Sequence, residues 1–167
     1  MIRPATADDA AALARIYDHY VRNTVATFEE DPVPVAEMAS RIDRIGRLGL
    51  PYLVVTAEDA DGAAGAPVGY AYANRWRERS AYRHTVETSI YLDPESVGQG
   101  LGTRLYATLL EALRARGLHV AIGGITLPNP GSVALHEKLG FRIAARFHEV
   151  GFKFGEWLDV GYWQLAL

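Results

Sequence analysis

TVETSIYLDPESVGQGLGTR, residues 85–104, decides how the rest of the chain is read. Val86, Thr88, Ile90 and Leu92 fall on one face and Glu87, Ser89 and Tyr91 on the other, the two-residue period of a pleated strand. Asp93 and Pro94 stop that strand. Gly98, Gly100 and Gly102 follow, and an apolar stripe at Leu101, Leu105, Leu109 and Leu113 opens a helix at once. Glycines just before a helix let backbone amides approach an anion, and the positive end of the helix dipole favours negative charge there. The segment therefore reads as a pyrophosphate cradle, with one carboxylate, Glu87, on the strand leading into it.

Outward from this centre, the flanks supply a mixed sheet. Residues 2–5 form a short strand, and Thr6 with Asp9 resembles a capping box for a helix carrying Leu13, Ile16, Tyr17 and Tyr20. A loop with Val25 and Phe28 leads to a second helix, whose apolar face is Val35, Met38, Ile42 and Ile45 and which ends at Gly46 and Gly49. Residues 52–57 and 68–73 make a hairpin around a small-residue turn at 59–67. The arginine-rich stretch NRWRERSAYRH, 74–84, is a loop or a short helical turn. Beyond the central helix come a strand at 119–125, a turn at 128–131 and a short helix at 133–139 with Ser132 as N-cap. The last strands, 141–147 and 160–167, are joined by GFKFGEWLD. Helices and strands interleave without strict alternation, which predicts one α/β (α+β) domain over 1–167 with a mixed sheet.

Composition narrows the function classes. With 167 residues, 49% hydrophobic and 22% charged, the chain is ordinary for one soluble domain. A net charge of −3 and the lack of a Lys/Arg block argue against nucleic acid and anionic membrane as partners. The chain has no cysteine, which removes disulfides, thiolate metal sites and a cysteine nucleophile. No His/Asp/Glu spacing reads as a metal site. MIRPATADD lacks the apolar core of a signal peptide, so a cytoplasmic location is expected.

The V-G-Q-G-L-G loop at 97–102 and N-P-G-S-V-A-L-H-E-K-L-G-F at 129–141, in this order of elements, resemble the GNAT superfamily of acetyl-CoA-dependent N-acetyltransferases. W-R-E-R-S-A-Y at 76–82, T-V-E-T-S-I-Y at 85–91 and G-F-K-F-G-E-W-L-D-V-G-Y-W-Q-L at 151–165 make the chain similar to the phosphinothricin and methionine sulfoximine branch. The resemblance implies a twisted, mostly antiparallel sheet with helices on both faces and splayed central strands. It also implies acetyl-CoA as co-substrate, a small amino-acid-like amine as acceptor, and a homodimer. The aromatic-rich region 152–163 is the apolar surface expected at the dimer contact.

The resemblance also assigns roles. Glu87 becomes the base for the amine and His136 the group that protonates the departing thiolate; which of the two takes the amine proton stays open. Read from pattern alone, Glu87 is equally a solvated strand glutamate and His136 a structural histidine. Backbone N–H groups at Ser89, Ile90 and Tyr91 polarise the thioester carbonyl. Val97, Gly98, Gln99, Gly100, Leu101 and Gly102 hold the pyrophosphate, and Asn129 binds the cofactor arm or simply forms an Asn-Pro turn. The family loop opens with Arg or Gln where this chain has Val97, so Gln99 or Arg104 is left to supply a side-chain phosphate contact. Trp76, Arg77, Glu78, Arg79 and Tyr82, with Val86, Thr88, Phe28 and Lys153, form the acceptor end, where guanidinium forks suit a carboxylate. A peptide or lysine acceptor, and a non-catalytic acyl-CoA-binding module, are the competing readings.

Overall fold

Alternation along the central strands divides the helices between two faces. A computed structural model describes residues 1–58 and 64–167. Its elements run β1 (Ile2–Pro4), α1 (Ala10–Asn23), α2 (Val35–Arg47), β2 (Tyr52–Glu58), β3 (Ala64–Arg75), β4 (Thr85–Leu92), α3 (Leu101–Arg114), β5 (Val120–Leu127), α4 (Pro130–Lys138), β6 (Arg142–Lys153) and β7 (Glu156–Ala166). The seven strands form one sheet in the order β1-β2-β3-β4-β5-β7-β6. Every pairing is antiparallel except β4 with β5.

Tyr52, Val54 and Tyr70 pack with Leu13, Ile16, Tyr17, Met38, Ile42 and Ile45 of α1 and α2. Leu53, Val55, Ala71, Ala73 and Val86 turn the other way, onto Leu105, Leu109, Leu110 and Leu113 of α3. Helices therefore cover both faces, and the period of two on the strands meets the period of 3.6 on each helix. Burial of the α3 leucines contributes about 2 kcal/mol each. No helix among the described residues is long and apolar enough to cross a membrane.

Several local expectations shift. Val35 is 50% exposed, because it is the first helical residue and its side chain leans past the end of the core. Gly46 lies within α2, and Gly49, at φ +70°, makes the turn out of it. Asn129, not Ser132, caps α4: its Oδ1 accepts the Ser132 N–H at 3.1 Å and Pro130 begins the helix, where a missing N–H costs nothing. The turn expected at 59–67 lies outside the described residues over 59–63, and 64–67 already belong to β3.

The last two strands are also longer than the apolar pattern indicates. A tight turn with Phe154 at φ +53° and Gly155 at φ +80° joins them. The pattern fails there because β6 is an edge strand, exposed over most of its length and interrupted by register shifts.

Candidate active site

The site begins where two parallel strands part. β4 pairs with β5 only over Thr85↔Val120, Val86↔Ala121 and Glu87↔Ile122, while β5 continues beside β7 as far as Leu127↔Asp159. Beyond Glu87, one edge of β4 is open. His84 O accepts N–H groups from His119 and Val120, whereas Asp93 N–H donates to Val68 O on the opposite side. Even-numbered residues of β4 therefore turn their backbone toward β5. At Leu92 those groups are covered: the Tyr20 hydroxyl donates to Leu92 O at 2.7 Å and accepts its N–H at 3.4 Å. By the same alternation Ile90 offers its N–H and C=O to the opening. The opening continues into a cleft of about 290 Å³ walled by Thr88–Leu92, Gly124–Thr126, Val97, Asn129, Ser132 and His136.

The glycine loop closes one end of the cleft. Gly98 and Gly100 adopt φ +84° and +76°, and no heavy atom lies within 4 Å of where a Cβ would stand. The first bond into α3 is Arg104 N–H to Gly100 O at 3.2 Å, so the N–H groups of Leu101, Gly102 and Thr103 are free to meet an anion. Gly102 is buried and tightly packed, with Leu92 Cδ1 3.1 Å from its Cβ position. Val97 is 59% exposed at the rim. Gln99 turns its amide to Glu95 O at 3.2 Å, inside the loop.

The other end holds the carboxylate. Glu87 is half-buried on the α1/α2 face, between Gly124, Tyr162 and Arg77. Burial raises its carboxyl above the ordinary range, and the Arg77 guanidinium opposes that shift. Trp76 packs edge-on against Tyr162, with centroids 5.5 Å apart, and Arg77 lies 5.1 Å from the Trp76 ring. Glu78 turns to Arg75 at 3.5 Å, and Arg79 and Tyr82 are exposed. Of the expected acceptor loop, Trp76 thus reaches Tyr162 beside Glu87, and Arg77, itself exposed, acts on the carboxyl through its charge.

Val86 and Thr88 part from Glu87, as alternation requires. Val86 is 1% exposed in the α3 core, and Thr88 reaches Tyr106 at 2.7 Å. Lys153 is 2% exposed; its Nζ donates to the carbonyls of Thr24 and Thr27, each at 2.8 Å. It ties down the loop bearing Phe28, whose ring rests on Gly151, and burial lowers its pKa. His136 is 4% exposed, with Nδ1 2.8 Å from Ser132 O and Nε2 3.0 Å from the Tyr106 hydroxyl. Burial lowers its pKa, favouring the neutral imidazole, and the Ser132 carbonyl resists the shift.

A model of the acetyltransferase (GNAT) family matches residues 13–141. The chain belongs to that family. It is 41% identical, over 99% of its length and 94% of the relative's, to the L-methionine sulfoximine/L-methionine sulfone acetyltransferase of Pseudomonas paraeruginosa. A solved phosphinothricin acetyltransferase of Sinorhizobium meliloti, in complex with acetyl-CoA, superposes with a TM-score of 0.93 at 42% identity, covering 100% of this chain and 88% of that one. A ribosomal-protein-alanine N-acetyltransferase structure from Brucella melitensis reaches a TM-score of 0.94 at 38% identity, covering 100% and 99%. The resemblance read from 97–102 and 129–141 is thereby established for family and fold.

The residues of this GNAT chain fit acetyl-CoA on their own geometry. An open, unpaired strand edge leads from a carboxylate to a loop with space where two Cβ atoms would be. Among the described residues, no three His, Cys, Asp or Glu side chains gather as a metal site. Sequence reasoning missed Tyr20 and Tyr106. Tyr20 reads as part of an apolar helical stripe and Tyr106 adjoins the leucine stripe; their hydroxyl contacts lie 72 and 30 residues away in sequence. Gly123 was also missed. It follows from packing alone, since a Cβ there would overlap His136 Nε2.

Proposed function

We propose that this acetyltransferase moves the acetyl group of acetyl-CoA directly onto the α-amine of a small glutamate-like amino acid, with phosphinothricin, methionine sulfoximine and methionine sulfone as acceptors. The observation that carries the reading is the half-buried Glu87 at the head of the splayed strands, within range of the Arg77 charge. A base next to a free strand edge then lies within electrostatic range of a carboxylate-binding fork.

Bound acetyl-CoA supplies an activated thioester carbonyl. Val97–Gly102 and the first turn of α3 hold its pyrophosphate, and Asn129 flanks its arm. The Ile90 N–H, fixed by the pleat, polarises the carbonyl oxygen. Arg77 anchors the acceptor carboxylate and Trp76 packs along its stem. Glu87, with its pKa raised by burial, accepts a proton from the ammonium group. His136 serves the thiolate side. A cysteine-free chain offers no thiol to carry the acetyl group, which supports direct transfer within a ternary complex. Two copies associate in the cytoplasm through the exposed aromatic face of β6 and its turn. Phe147, Val150, Phe152, Phe154 and Trp157 are each more than half exposed there, whereas Trp163 is buried and leaves that surface.

Thiol release from acetyl-CoA tests the acceptor. The reading expects turnover with methionine sulfoximine or phosphinothricin at least about tenfold above that with an alanine-terminated peptide. The similarity to the Brucella structure favours one second reading, a peptide N-terminus as acceptor. Turnover with the peptide alone would replace the first reading by the second.

A further inference from the structure

Three buried side chains form an unbroken line at the base of the cleft. A carbonyl only accepts, so the 2.8 Å contact to Ser132 O puts a hydrogen on His136 Nδ1. Nε2 faces the Tyr106 hydroxyl at 3.0 Å, that hydroxyl meets Thr88 Oγ1 at 2.7 Å, and Thr88 Oγ1 lies 3.2 Å from Ile122 O. Thr88 and His136 wall the cleft, and Tyr106 stands behind them with no exposure.

The line is complete in either charge state of the imidazole. When His136 is neutral, Tyr106 donates to Nε2 and Thr88 donates to Tyr106. When His136 is charged, Nε2–H donates to Tyr106, Tyr106 to Thr88, and Thr88 to Ile122 O. Every buried group keeps a partner and no heavy atom has to move. Facing the ring are Tyr106 from α3, Gly123 from β5, Phe141 beyond α4 and Ser132 on α4 itself. Tyr106 is the titratable member of that set, and Glu137 turns away to Trp163 Nε1 at 3.2 Å. No packed charge holds the ring in one state.

We propose that Thr88, Tyr106 and His136 form a proton relay between the cleft and the buried imidazole, with the Thr88 hydroxyl as its mouth. The proposal rests on the acetyl-transfer reading above. As the N–C bond forms, the proton shed by the acceptor nitrogen enters at Thr88 Oγ1. The Thr88 hydrogen passes to Tyr106 and the Tyr106 hydrogen to Nε2, leaving an imidazolium. As the C–S bond breaks, the same hops run backwards, and the hydrogen leaving Thr88 forms the S–H bond. One proton leaves nitrogen, one reaches sulfur, and the imidazole is neutral again. Thr88 meets the reacting atoms; Tyr106 is a positioning residue that acts through its neighbours.

Thr88→Val, Thr88→Ser and Tyr106→Phe test the relay in two ways. Nitrogen NMR of the His136 ring needs no acceptor. It should show the Nδ1–H form at neutral pH in the wild type. The titration midpoint should fall in Thr88→Val, where the imidazolium loses the far end of its chain, and return in Thr88→Ser. In steady state, Thr88→Val and Tyr106→Phe should lose about 10–100-fold in kcat with KM for acetyl-CoA within about twofold, and Thr88→Ser should recover. The acid limb then carries a His136 inflection besides that of Glu87, and in Thr88→Val the His136 inflection should move with the NMR midpoint while the Glu87 inflection stays. Folded Thr88→Val and Tyr106→Phe proteins with wild-type kcat would overturn the proposal, as would a Thr88→Ser enzyme as slow as Thr88→Val. If Thr88→Val does not fold, Tyr106→Phe decides by the same rate and pH criteria. If the wild type releases no thiol with any acceptor, the acetyl-transfer reading fails instead. The relay is then judged by NMR alone, and an unmoved midpoint in Thr88→Val overturns it.

Discussion

Gly123→Ala and Gly124→Ala are neighbouring changes of one methyl group each, and the structure separates their effects. Gly123 is buried, and its added Cβ would overlap Nε2 of His136. The ring sits between Tyr106 and Phe141, with centroids 5.0 Å from each, so it has little room to retreat. Overpacking of this kind costs about 1–3 kcal/mol. Pushing Nε2 off the Tyr106 hydroxyl leaves a buried polar pair unsatisfied, at about 1–3 kcal/mol more. A loss of about 2–6 kcal/mol lowers Tm by about 4–24 °C in a chain of this size.

Gly124 is exposed on the other face of the strand. A Cβ there lies 3.3 Å from Glu87 Oε1 and 3.2 Å from Tyr162 Cε1, tight but next to open cleft. Gly124→Ala should therefore hold Tm within about 2 °C while raising KM for the acceptor severalfold, because it narrows the space before the carboxylate. Thermal unfolding and steady-state kinetics on both variants check this. If Gly123→Ala unfolds at the wild-type temperature with wild-type kcat, His136 does not pack against β5 at Gly123.

Other outcomes follow from single contacts. Lys153→Met fills similar volume but leaves the Thr24 and Thr27 carbonyls without their donor; it should cost about 2–4 kcal/mol and raise acceptor KM more than acetyl-CoA KM. Asp9 is held below the ordinary carboxylate range mainly by its hydrogen bonds with Arg3, at 2.7 and 2.8 Å. A carboxylate with a depressed folded pKa stabilises above its unfolded value and loses that contribution as pH falls through the folded one. Denaturant titrations should therefore show Asp9→Asn about 2 kcal/mol less stable than wild type at pH 7, with the gap closing below about pH 4.

What the sequence makes legible is what local pattern encodes. The alternation over Thr85–Leu92 assigns Val86 and Glu87 to opposite faces, and the glycines at 98 and 100 before the leucine stripe mark the loop with positive φ. The order of helices and strands follows from the same periods. Contacts between residues distant in sequence are not encoded this way. Lys153 reads as a pocket cation, yet it is committed to carbonyls 126 and 129 residues away. Thr88 reads as an acceptor contact because it adjoins Glu87; its link to Tyr106, 18 residues on, is not encoded locally. The strands β6 and β7 outrun their apolar pattern because an edge strand needs no buried face and Glu149, at φ +53°, bulges out of register. Asp159 holds that bulge by accepting the Glu149 N–H at 2.9 Å.

The pH–rate profile of Glu87→Gln, measured alongside acetyl-CoA binding, tests most directly whether this carboxylate is the base for the incoming amine. In the wild type, kcat/KM should rise with pH through a group lying above the usual carboxylate range, since burial lifts Glu87 and only the ionised form accepts a proton. Glu87→Gln should lose that limb and about 10²–10⁴-fold in kcat, or about 3–5 kcal/mol, with the acetyl-CoA Kd within about twofold of wild type. A glutamine variant that keeps wild-type kcat and the same acid limb would contradict the assignment of Glu87 as the base.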